Sequence, residues 1–217
     1  MNLEPDDLRV YLVTQERLSA GRTTPAVVAA ALDGGATFVQ LREKDRPARE
    51  RYEVGLRVRE LTAEAGVPFV VNDRVDLALA LDADGVHLGD EDLPVSVARD
   101  LLGPEAIVGR SASSVEGARA AREAGADYLG VGAVFATGSK DVAPGDAEIG
   151  LERVRAIAEA VDLPLVGIGG VTAENAADVI AAGADGVAVI SAITGADDVR
   201  EATRALADAV GSGGGGP

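Results

Sequence analysis

The segment Ala182-Gly183-Ala184-Asp185-Gly186-Val187-Ala188-Val189-Ile190-Ser191 sets the pattern for the whole chain: a glycine that ends a helix, a tight turn, and a short apolar strand. Related turns followed by apolar runs recur at 33–42, 82–89 and 124–135. Between these copies lie runs that are entered through proline, at Pro68 and Pro164, with Pro104 a few residues ahead of a third. The repeat therefore has a period of two strand–helix units, and four copies predict eight strands.

Eight apolar runs alternate with longer Ala-, Arg- and Glu-rich stretches. The runs cover residues 9–14, 38–42, 68–73, 85–89, 107–111, 128–135, 165–170 and 186–191, and helical spacing of apolar residues marks 47–65, 115–124, 151–160 and 173–182. Alternating strands and helices form parallel βαβ units, and eight such units in about 210 residues predict a single (β/α)8 barrel. The alternative is a doubly wound open sheet, although no Gly-x-Gly-x-x-Gly sequence follows the first strand. We assign residues 1–210 to the barrel and 211–217 to a flexible glycine-rich tail.

Composition narrows the classes of function. The chain has 217 residues, no cysteine and a net charge of −16, so disulfides and thiolate metal sites are excluded, and nucleic acids and anionic membranes are unfavourable partners. With no signal-like or long apolar segment, a cytoplasmic protein that acts on small molecules is expected. The oligomeric state stays open, with a homo-oligomer as one alternative. The acidic excess also predicts adaptation to high salt, where self-repulsion is screened.

Lysine occurs only at Lys44 and Lys140, each at the end of a polar cluster that follows an apolar run. Because the other basic residues are arginines, these two positions suggest specific anion binding, with Arg42 as a neighbouring planar donor. The alternative is that both are surface lysines paired with carboxylates.

The carboxyl ends of barrel strands carry the chemistry, so the polar residues after each run are expected on one rim. Gly169, Gly170, Ile190 and Ser191 offer backbone that can approach a monophosphate closely, and the alternative is that the glycines only serve tight turns. Asp73 and Asp92 follow adjacent runs and are the candidate Mg²⁺ ligands, because carboxylate oxygens suit this ion; the alternative is that each caps the following helix. His87 is the only histidine, and a structural role is favoured for it.

Six motifs with polar or glycine residues follow one another in order over nearly the whole chain. They are Gln40-Leu41-Arg42-Glu43-Lys44, Val71-Asn72-Asp73-Arg74, Asp84-Gly85-Val86-His87-Leu88-Gly89, Phe135-Ala136-Thr137-Gly138-Ser139-Lys140, Gly167-Ile168-Gly169-Gly170 and Val189-Ile190-Ser191. Together these motifs resemble the thiamine-phosphate synthase family. Two positions depart from the family pattern: Asp90 stands where the family usually has Gln, and Ser113 where it often has His.

The resemblance implies that a hydroxymethylpyrimidine diphosphate and a thiazole phosphate are joined to thiamine phosphate with release of pyrophosphate, through a dissociative carbocation mechanism. It assigns the pyrimidine diphosphate to Gln40, Arg42, Lys44, Asn72, Ser111 and Lys140, the thiazole phosphate to Thr137, Ser139, Gly170, Ile190 and Ser191, and Mg²⁺ to Asp73 and Asp92. Leu41, Glu43, Gly138 and Gly169 are further substrate-binding candidates within the same motifs, and Arg42, Lys44, Ser111 and Lys140 are expected to be catalytic. The alternatives are a thiazole tautomerase, another phosphate-substrate barrel enzyme, and a non-catalytic phosphate sensor.

Overall fold

A computed structural model of the protein describes residues 3–137 and 148–213. Eight parallel strands form a closed barrel in chain order, and β8 returns to pair with β1. The strands are β1 Val10–Val13, β2 Phe38–Leu41, β3 Phe69–Asn72, β4 Gly85–Leu88, β5 Ile107–Ala112, β6 Tyr128–Gly132, β7 Leu165–Ile168 and β8 Gly186–Val189. The predicted (β/α)8 barrel is confirmed, and closure by the β1–β8 pair excludes the open sheet.

Helices follow the strands around the outside. They are α1 Thr24–Gly34, α2 Ala48–Ala65, α3 Val75–Ala80, α4 Val95–Leu102, α5 Val115–Glu123, α6 Gly150–Ala158, α7 Ala176–Ala181, α8 Ser191–Thr194 and α9 Val199–Gly213. The last helix continues past the expected boundary at residue 210, because its end packs on α7, where a Cβ added at Gly213 would lie 3.0 Å from Ile180 Cβ. Residues 214–217 of the predicted tail lie outside the described residues. Within the described part of the chain, no helix is both long and apolar enough to cross a membrane.

The apolar residues form two separate cores because successive strand residues face opposite sides of the sheet. The outer core fills the space between strands and helices and consists mainly of Val, Leu, Ile and Ala. The inner core lies inside the barrel and contains Tyr11, Phe38 and Tyr128. Half of the chain's six Phe and Tyr rings therefore lie in the barrel interior.

The sequence repeat has a structural counterpart at the amino ends of the strands. Side-chain oxygens that precede the even strands accept hydrogen bonds from backbone N–H groups of the odd strands, over distances of 2.6–3.0 Å. The four pairs are Thr37 with Val10, Asp84 with Phe69, Asp127 with Val108, and Asp185 with Leu165. We call these four acceptors the strand caps. They join neighbouring strand–helix units in pairs, which is the period that the sequence shows.

Candidate active site

One cavity opens among the carboxyl ends of the strands and collects most of the polar residues expected on this rim. Its lining includes Gln40, Arg42, Lys44, Asn72, Asp73, Asp92 and Ser111. These residues come from four different strand–loop segments, spread over about seventy positions of sequence, and closure of the barrel brings them together. We call this the side-chain cavity.

Lys44 and Asp73 face each other across the side-chain cavity. Lys44 Nζ lies 2.8 Å from Asp73 Oδ2. Asp73 has φ of 65°, in the left-handed region that non-glycine residues seldom adopt, and its N–H donates to the carbonyl of His87 on the next strand. The β3–β4 pairing thus continues one residue past the strand and aims the Asp73 carboxylate into the cavity. Backbone strain of this kind is characteristic of functional sites.

Asp92 is the second carboxylate of the side-chain cavity. Its Oδ2 accepts a 2.6 Å hydrogen bond from the N–H of Gly89. The pKa of Asp92 is raised above its usual value, mainly because the carboxyl is partly buried and also because Asp73 lies beside it. The Gly89 N–H and Lys44 act in the opposite direction without cancelling the rise. A carboxylate whose pKa is raised by burial and by a neighbouring carboxylate marks a site where a cation is favoured.

Neither aspartate caps the helix that follows it. The N-cap residue is Arg74 for α3 and Pro94 for α4, and neither N-cap makes a side-chain hydrogen bond to its helix. The capping alternative is therefore excluded for both Asp73 and Asp92. Within the described residues no group of three or more His, Cys, Asp or Glu side chains is placed to hold a metal. A hard cation here would take two protein carboxylates and fill its shell with water and phosphate oxygens, an arrangement that suits Mg²⁺.

Arg42 is held in place from two sides before any ligand arrives. Its guanidinium donates a 2.5 Å hydrogen bond to Gln15 Oε1, and its N–H donates to Thr14 Oγ1 at 3.1 Å. Only 5% of Arg42 is exposed. A buried guanidinium fixed at the edge of a cavity is a preorganised anion donor.

Two residues of the same motif point elsewhere. The side chain of Leu41 lies in the outer core, and the Glu43 carboxylate accepts hydrogen bonds from Thr24 Oγ1 at 2.7 Å and from the Glu16 N–H at 2.9 Å. These two side chains therefore do not line the side-chain cavity, and their contact with a substrate stays a prediction. Within β2, alternation sends Gln40 and Leu41 to opposite faces of the sheet. Glu43 lies beyond the strand, with φ of 27°, and its carboxylate is turned toward Thr24 and Glu16.

A second cavity adjoins the first and is built mainly from backbone. It is lined by Thr137, Gly169, Gly170, Ile190 and Ser191 with their neighbours, and it shares Ile168 and Ala188 with the side-chain cavity. We call it the backbone cavity. Four of the five residues that the resemblance assigns to the thiazole phosphate lie here, together with Gly169. The fifth, Ser139, falls outside the described residues, as do Gly138 and Lys140.

Gly170 has a specific structural role in the backbone cavity. Its φ is 66°, and an added Cβ would lie 2.6 Å from the Ala136 carbonyl oxygen and 2.7 Å from Phe135 Cβ. Asn175 Nδ2 donates to the Gly170 carbonyl at 3.1 Å, which fixes the loop. The alternative that this glycine only serves a turn is insufficient, because the tight approach of two loops also requires it.

The structure gives His87 more than the packing role that was favoured. Its ring lines the side-chain cavity, with Nδ1 3.0 Å from the Tyr128 hydroxyl and Nε2 3.0 Å from Ser111 Oγ. The Tyr128 hydroxyl is hydrogen-bonded to the Tyr11 hydroxyl, which in turn accepts a hydrogen bond from Gln40 Nε2. Neither tyrosine was predicted as a site residue. Aromatic residues make up only 3% of the chain, so two tyrosines within predicted strands could have indicated a special role.

The departure at Asp90 is explained by its partner. Asp90 Oδ1 lies 2.6 Å from Arg110 Nη2, and 87% of the Asp90 side chain is exposed. Asp90 lines the mouth of the side-chain cavity rather than its floor. Asp73 and Asp92 therefore stay the central pair of carboxylates.

Comparison with known proteins agrees with this geometry. The profile of the family described as thiamine monophosphate synthase matches residues 10–193. The thiamine-phosphate synthase of Haloarcula marismortui is 67% identical over 94% of this chain and 97% of its own length, and that of Natronomonas pharaonis is 65% identical over 94% and 95%. The solved structure of thiamine phosphate pyrophosphorylase from Pyrococcus furiosus is 46% identical, covers 97% of this chain and 99% of its own, and superposes with a TM-score of 0.89.

Proposed function

This chain belongs to the thiamine monophosphate synthase family, and on that premise we propose that it joins 4-amino-2-methyl-5-hydroxymethylpyrimidine diphosphate to a thiazole phosphate, forming thiamine phosphate and pyrophosphate. It is a transferase. The observation that carries the proposal is the pair of adjoining cavities, one rich in charged side chains and one lined by backbone, with Ile168 and Ala188 in the wall between them. Two phosphorylated substrates that react with each other need two such neighbouring sites.

The side-chain cavity supports the diphosphate. Arg42 and Lys44 would bind phosphate oxygens, and the resemblance adds Lys140. Asn72 is 6% exposed and its Nδ2 is a buried donor with no partner among the described residues. A bound substrate would offer this donor an acceptor, which removes the cost of leaving it unpaired.

Asp73 and Asp92 would hold Mg²⁺ at the diphosphate. When bound, this ion stabilises negative charge on phosphate oxygens. The Lys44 ammonium lies 2.8 Å from Asp73 Oδ2, so it would add a second positive charge beside the same phosphate oxygens.

The proposed reaction breaks the bond between the methylene carbon and the diphosphate oxygen, and the electron pair leaves with pyrophosphate. The carbocation is stabilised by the electron-rich pyrimidine ring, and the thiazole nitrogen then supplies the electron pair of the new C–N bond. No protein nucleophile is needed, so the chain contributes charge and position. Loss of one positioned charge partner in such a site typically costs about 3 kcal/mol of transition-state stabilisation.

The backbone cavity would take the thiazole phosphate. Glycine backbone at 169–170 and the segment from Ile190 to Ser191 present main-chain groups with little side-chain obstruction. A tautomerase would need this cavity but not the Asp73–Asp92 pair, and a non-catalytic sensor would need neither carboxylate. The retained pair favours the synthase over both.

The deciding experiment measures pyrophosphate release by the purified protein with both substrates, each substrate alone, and with or without Mg²⁺. We expect release only when both substrates and Mg²⁺ are present. Release from the pyrimidine diphosphate alone at the same rate would indicate a hydrolase. No release by folded protein would exclude the synthase function.

We also propose that the acidic surface is an adaptation to salt. The net charge of −16 on 217 residues produces self-repulsion that counterions screen. The melting temperature and the rate of pyrophosphate release should both rise between low and molar salt. Equal stability at both salt concentrations would contradict this proposal.

A further inference from the structure

We propose that Tyr11 and Tyr128 are positioning residues whose hydroxyls fix the orientation of the Gln40 amide, and that this orientation makes the site prefer an amino-bearing pyrimidine over its oxo-bearing counterpart. The inference rests on the proposed function, since it concerns recognition of that substrate ring. Neither tyrosine belongs to the motifs that carry the family resemblance.

A hydrogen-bond chain crosses the barrel interior from β2 to β5. Gln40 Nε2 donates to the Tyr11 hydroxyl at 2.6 Å, and the two tyrosine oxygens are 2.8 Å apart. The chain continues from Tyr128 to His87 Nδ1 and from His87 Nε2 to Ser111 Oγ, both at 3.0 Å. We call these five residues the polar relay. The side-chain cavity is lined by Gln40, His87 and Ser111, so both ends of the relay reach the cavity in which the ligand would bind.

Each hydroxyl in the relay has only one proton, which links the directions of all four hydrogen bonds. With Gln40 Nε2 donating to Tyr11, Tyr11 donates to Tyr128, and Tyr128 donates to His87 Nδ1. His87 then carries its proton on Nε2 and donates it to Ser111. Burial raises the pKa of both tyrosines, so both hydroxyls keep their protons.

The direction of the relay decides whether the oxygen or the nitrogen of the Gln40 amide faces the ligand. In this direction, the Gln40 nitrogen is engaged by Tyr11 and the amide oxygen is left for the cavity. An amide oxygen accepts a hydrogen bond from a ring amino group but repels a ring carbonyl. In the reverse direction the amide nitrogen would face the ligand and the preference would invert.

Packing alone does not require these hydroxyls. Tyr11 and Tyr128 are fully buried in the inner core, and Phe38 lies in the same layer, with ring centroids 4.5 Å from Tyr11 and 5.6 Å from Tyr128. Phe38 shows that this layer accommodates a ring without a polar group. Burying a hydroxyl is unfavourable unless it is hydrogen-bonded. Two buried, hydrogen-bonded hydroxyls in this layer therefore indicate a role beyond packing.

The barrel strands also leave room for the relay. A Cβ added at Gly109 would lie 2.2 Å from Tyr128 Cζ, and one added at Gly130 would lie 2.9 Å from His87 Cε1. Gly109 stands opposite Tyr128 in the β5–β6 register, and Gly130 stands opposite Ser111. Any side chain at either position would displace a relay ring.

The test compares binding of the 4-amino and 4-oxo forms of the hydroxymethylpyrimidine diphosphate by calorimetry, without the thiazole phosphate. The proteins are the unmodified chain, Tyr11→Phe and Tyr52→Phe; Tyr52 is the third tyrosine, half-exposed on α2, and serves as the matched control. Loss of one neutral hydrogen bond should reduce the amino-over-oxo preference about tenfold in Tyr11→Phe. Tyr52→Phe should keep the preference of the unmodified chain.

An unchanged preference in folded Tyr11→Phe would overturn the proposal, and Tyr128→Phe provides a second variant if Tyr11→Phe does not fold. The same variants in the pyrophosphate assay should show a raised KM for the pyrimidine diphosphate with little change in kcat. Because binding is measured without turnover, loss of the synthase function would show as absent pyrophosphate release, whereas failure of the relay would show as unchanged selectivity in an active enzyme.

A second measurement does not depend on any substrate. His87 is the only histidine, so its ¹⁵N imidazole signals are unambiguous. We expect the Nε2–H tautomer in the unmodified chain and loss of that preference in Tyr128→Phe. A predominant Nδ1–H tautomer in the unmodified chain would mean that the relay runs the other way, and it would overturn the proposed amide orientation.

Discussion

The two ends of the barrel are built on opposite plans. At the amino ends of the strands the same device recurs four times, as each strand cap accepts a hydrogen bond from the N–H of a neighbouring strand. Among the described residues at the carboxyl ends no device recurs: β2 is followed by Lys44, β3 by Asp73, and β7 by Gly169 and Gly170. The repeated end joins the strands, and the irregular end forms the two cavities.

The difference shows where stability and function reside. Repetition at the amino end is what a closed barrel needs to hold equivalent units together, while chemistry in this fold occurs at the carboxyl end. The irregular end also carries the strained backbone of Asp73. Substitutions at the two ends should therefore separate activity from stability.

The largest expected effect is the loss of activity in Asp92→Asn at the carboxyl end. The amide removes one of two charges for the proposed Mg²⁺ site, so turnover should fall by at least about 100-fold, on the scale of losing one preorganised electrostatic partner. The melting temperature should stay the same or rise, because repulsion from Asp73 is relieved. Pyrophosphate release and thermal unfolding measure the two quantities.

The control for this variant is Asp90→Asn, because Asp90 lies nearby but is exposed and paired with Arg110. It should keep at least half of the turnover. If Asp92→Asn kept full Mg²⁺-dependent turnover, Asp92 would not be a metal ligand.

A change at the amino end should have the opposite signature. In Asp127→Ala the chain loses a 2.6 Å hydrogen bond to the Val108 N–H and a 2.6 Å ion pair with Arg99. An unpaired buried N–H costs about 2 kcal/mol, which for a chain of this length lowers the melting temperature by roughly 4–8 °C. The kcat of the folded enzyme should not change.

Asp162→Ala, at an exposed position beyond α6, is the matched control and should unfold within 1–2 °C of the unmodified chain, since surface substitutions usually have effects of about 0.5 kcal/mol or less. A fall in kcat for Asp127→Ala at temperatures where it is fully folded would mean that the two ends are coupled.

Much of this division was accessible from the sequence. The glycine and aspartate turns predicted eight strands with a repeat of two strand–helix units. All eight strands are confirmed, although β6, β7 and β8 end two or three residues before the predicted bounds, at Gly132, Ile168 and Val189. Residues 40, 42 and 44 were placed correctly at one cavity because strand ends converge in any closed parallel barrel.

What could not be predicted depends on contacts across the barrel. Tyr11 and Tyr128 are 117 positions apart in sequence, and their hydrogen bond exists only because the strands close into a ring. The direction of the Glu43 side chain was also not predictable, because Glu43 lies beyond β2 and its carboxylate is held by Thr24 and by the Glu16 N–H. The role of Asp127 as a strand cap was likewise visible only as a repeat, not as a hydrogen bond.

The smallest expected effect tests whether the strand caps are one device or two. Thr37 is the neutral member: its Oγ1 accepts from the Val10 N–H at 3.0 Å, whereas Asp127 brings a charge and an arginine partner. Thr37→Val keeps the shape and removes this hydrogen bond together with the longer one, 3.4 Å, that Thr37 Oγ1 donates to the Val10 carbonyl. Both are neutral, so the free energy of unfolding should fall by about 1 kcal/mol and the melting temperature by roughly 2–4 °C, with unchanged kcat. A loss as large as that in Asp127→Ala would show that the hydrogen bond to the neighbouring strand, and not the ion pair, supplies the stabilisation at all four caps. If Thr37→Val loses about half as much free energy of unfolding as Asp127→Ala, the other half at Asp127 comes from its ion pair with Arg99. The losses in the Thr37→Val/Asp127→Ala double variant should then be additive, because the two caps share no partner.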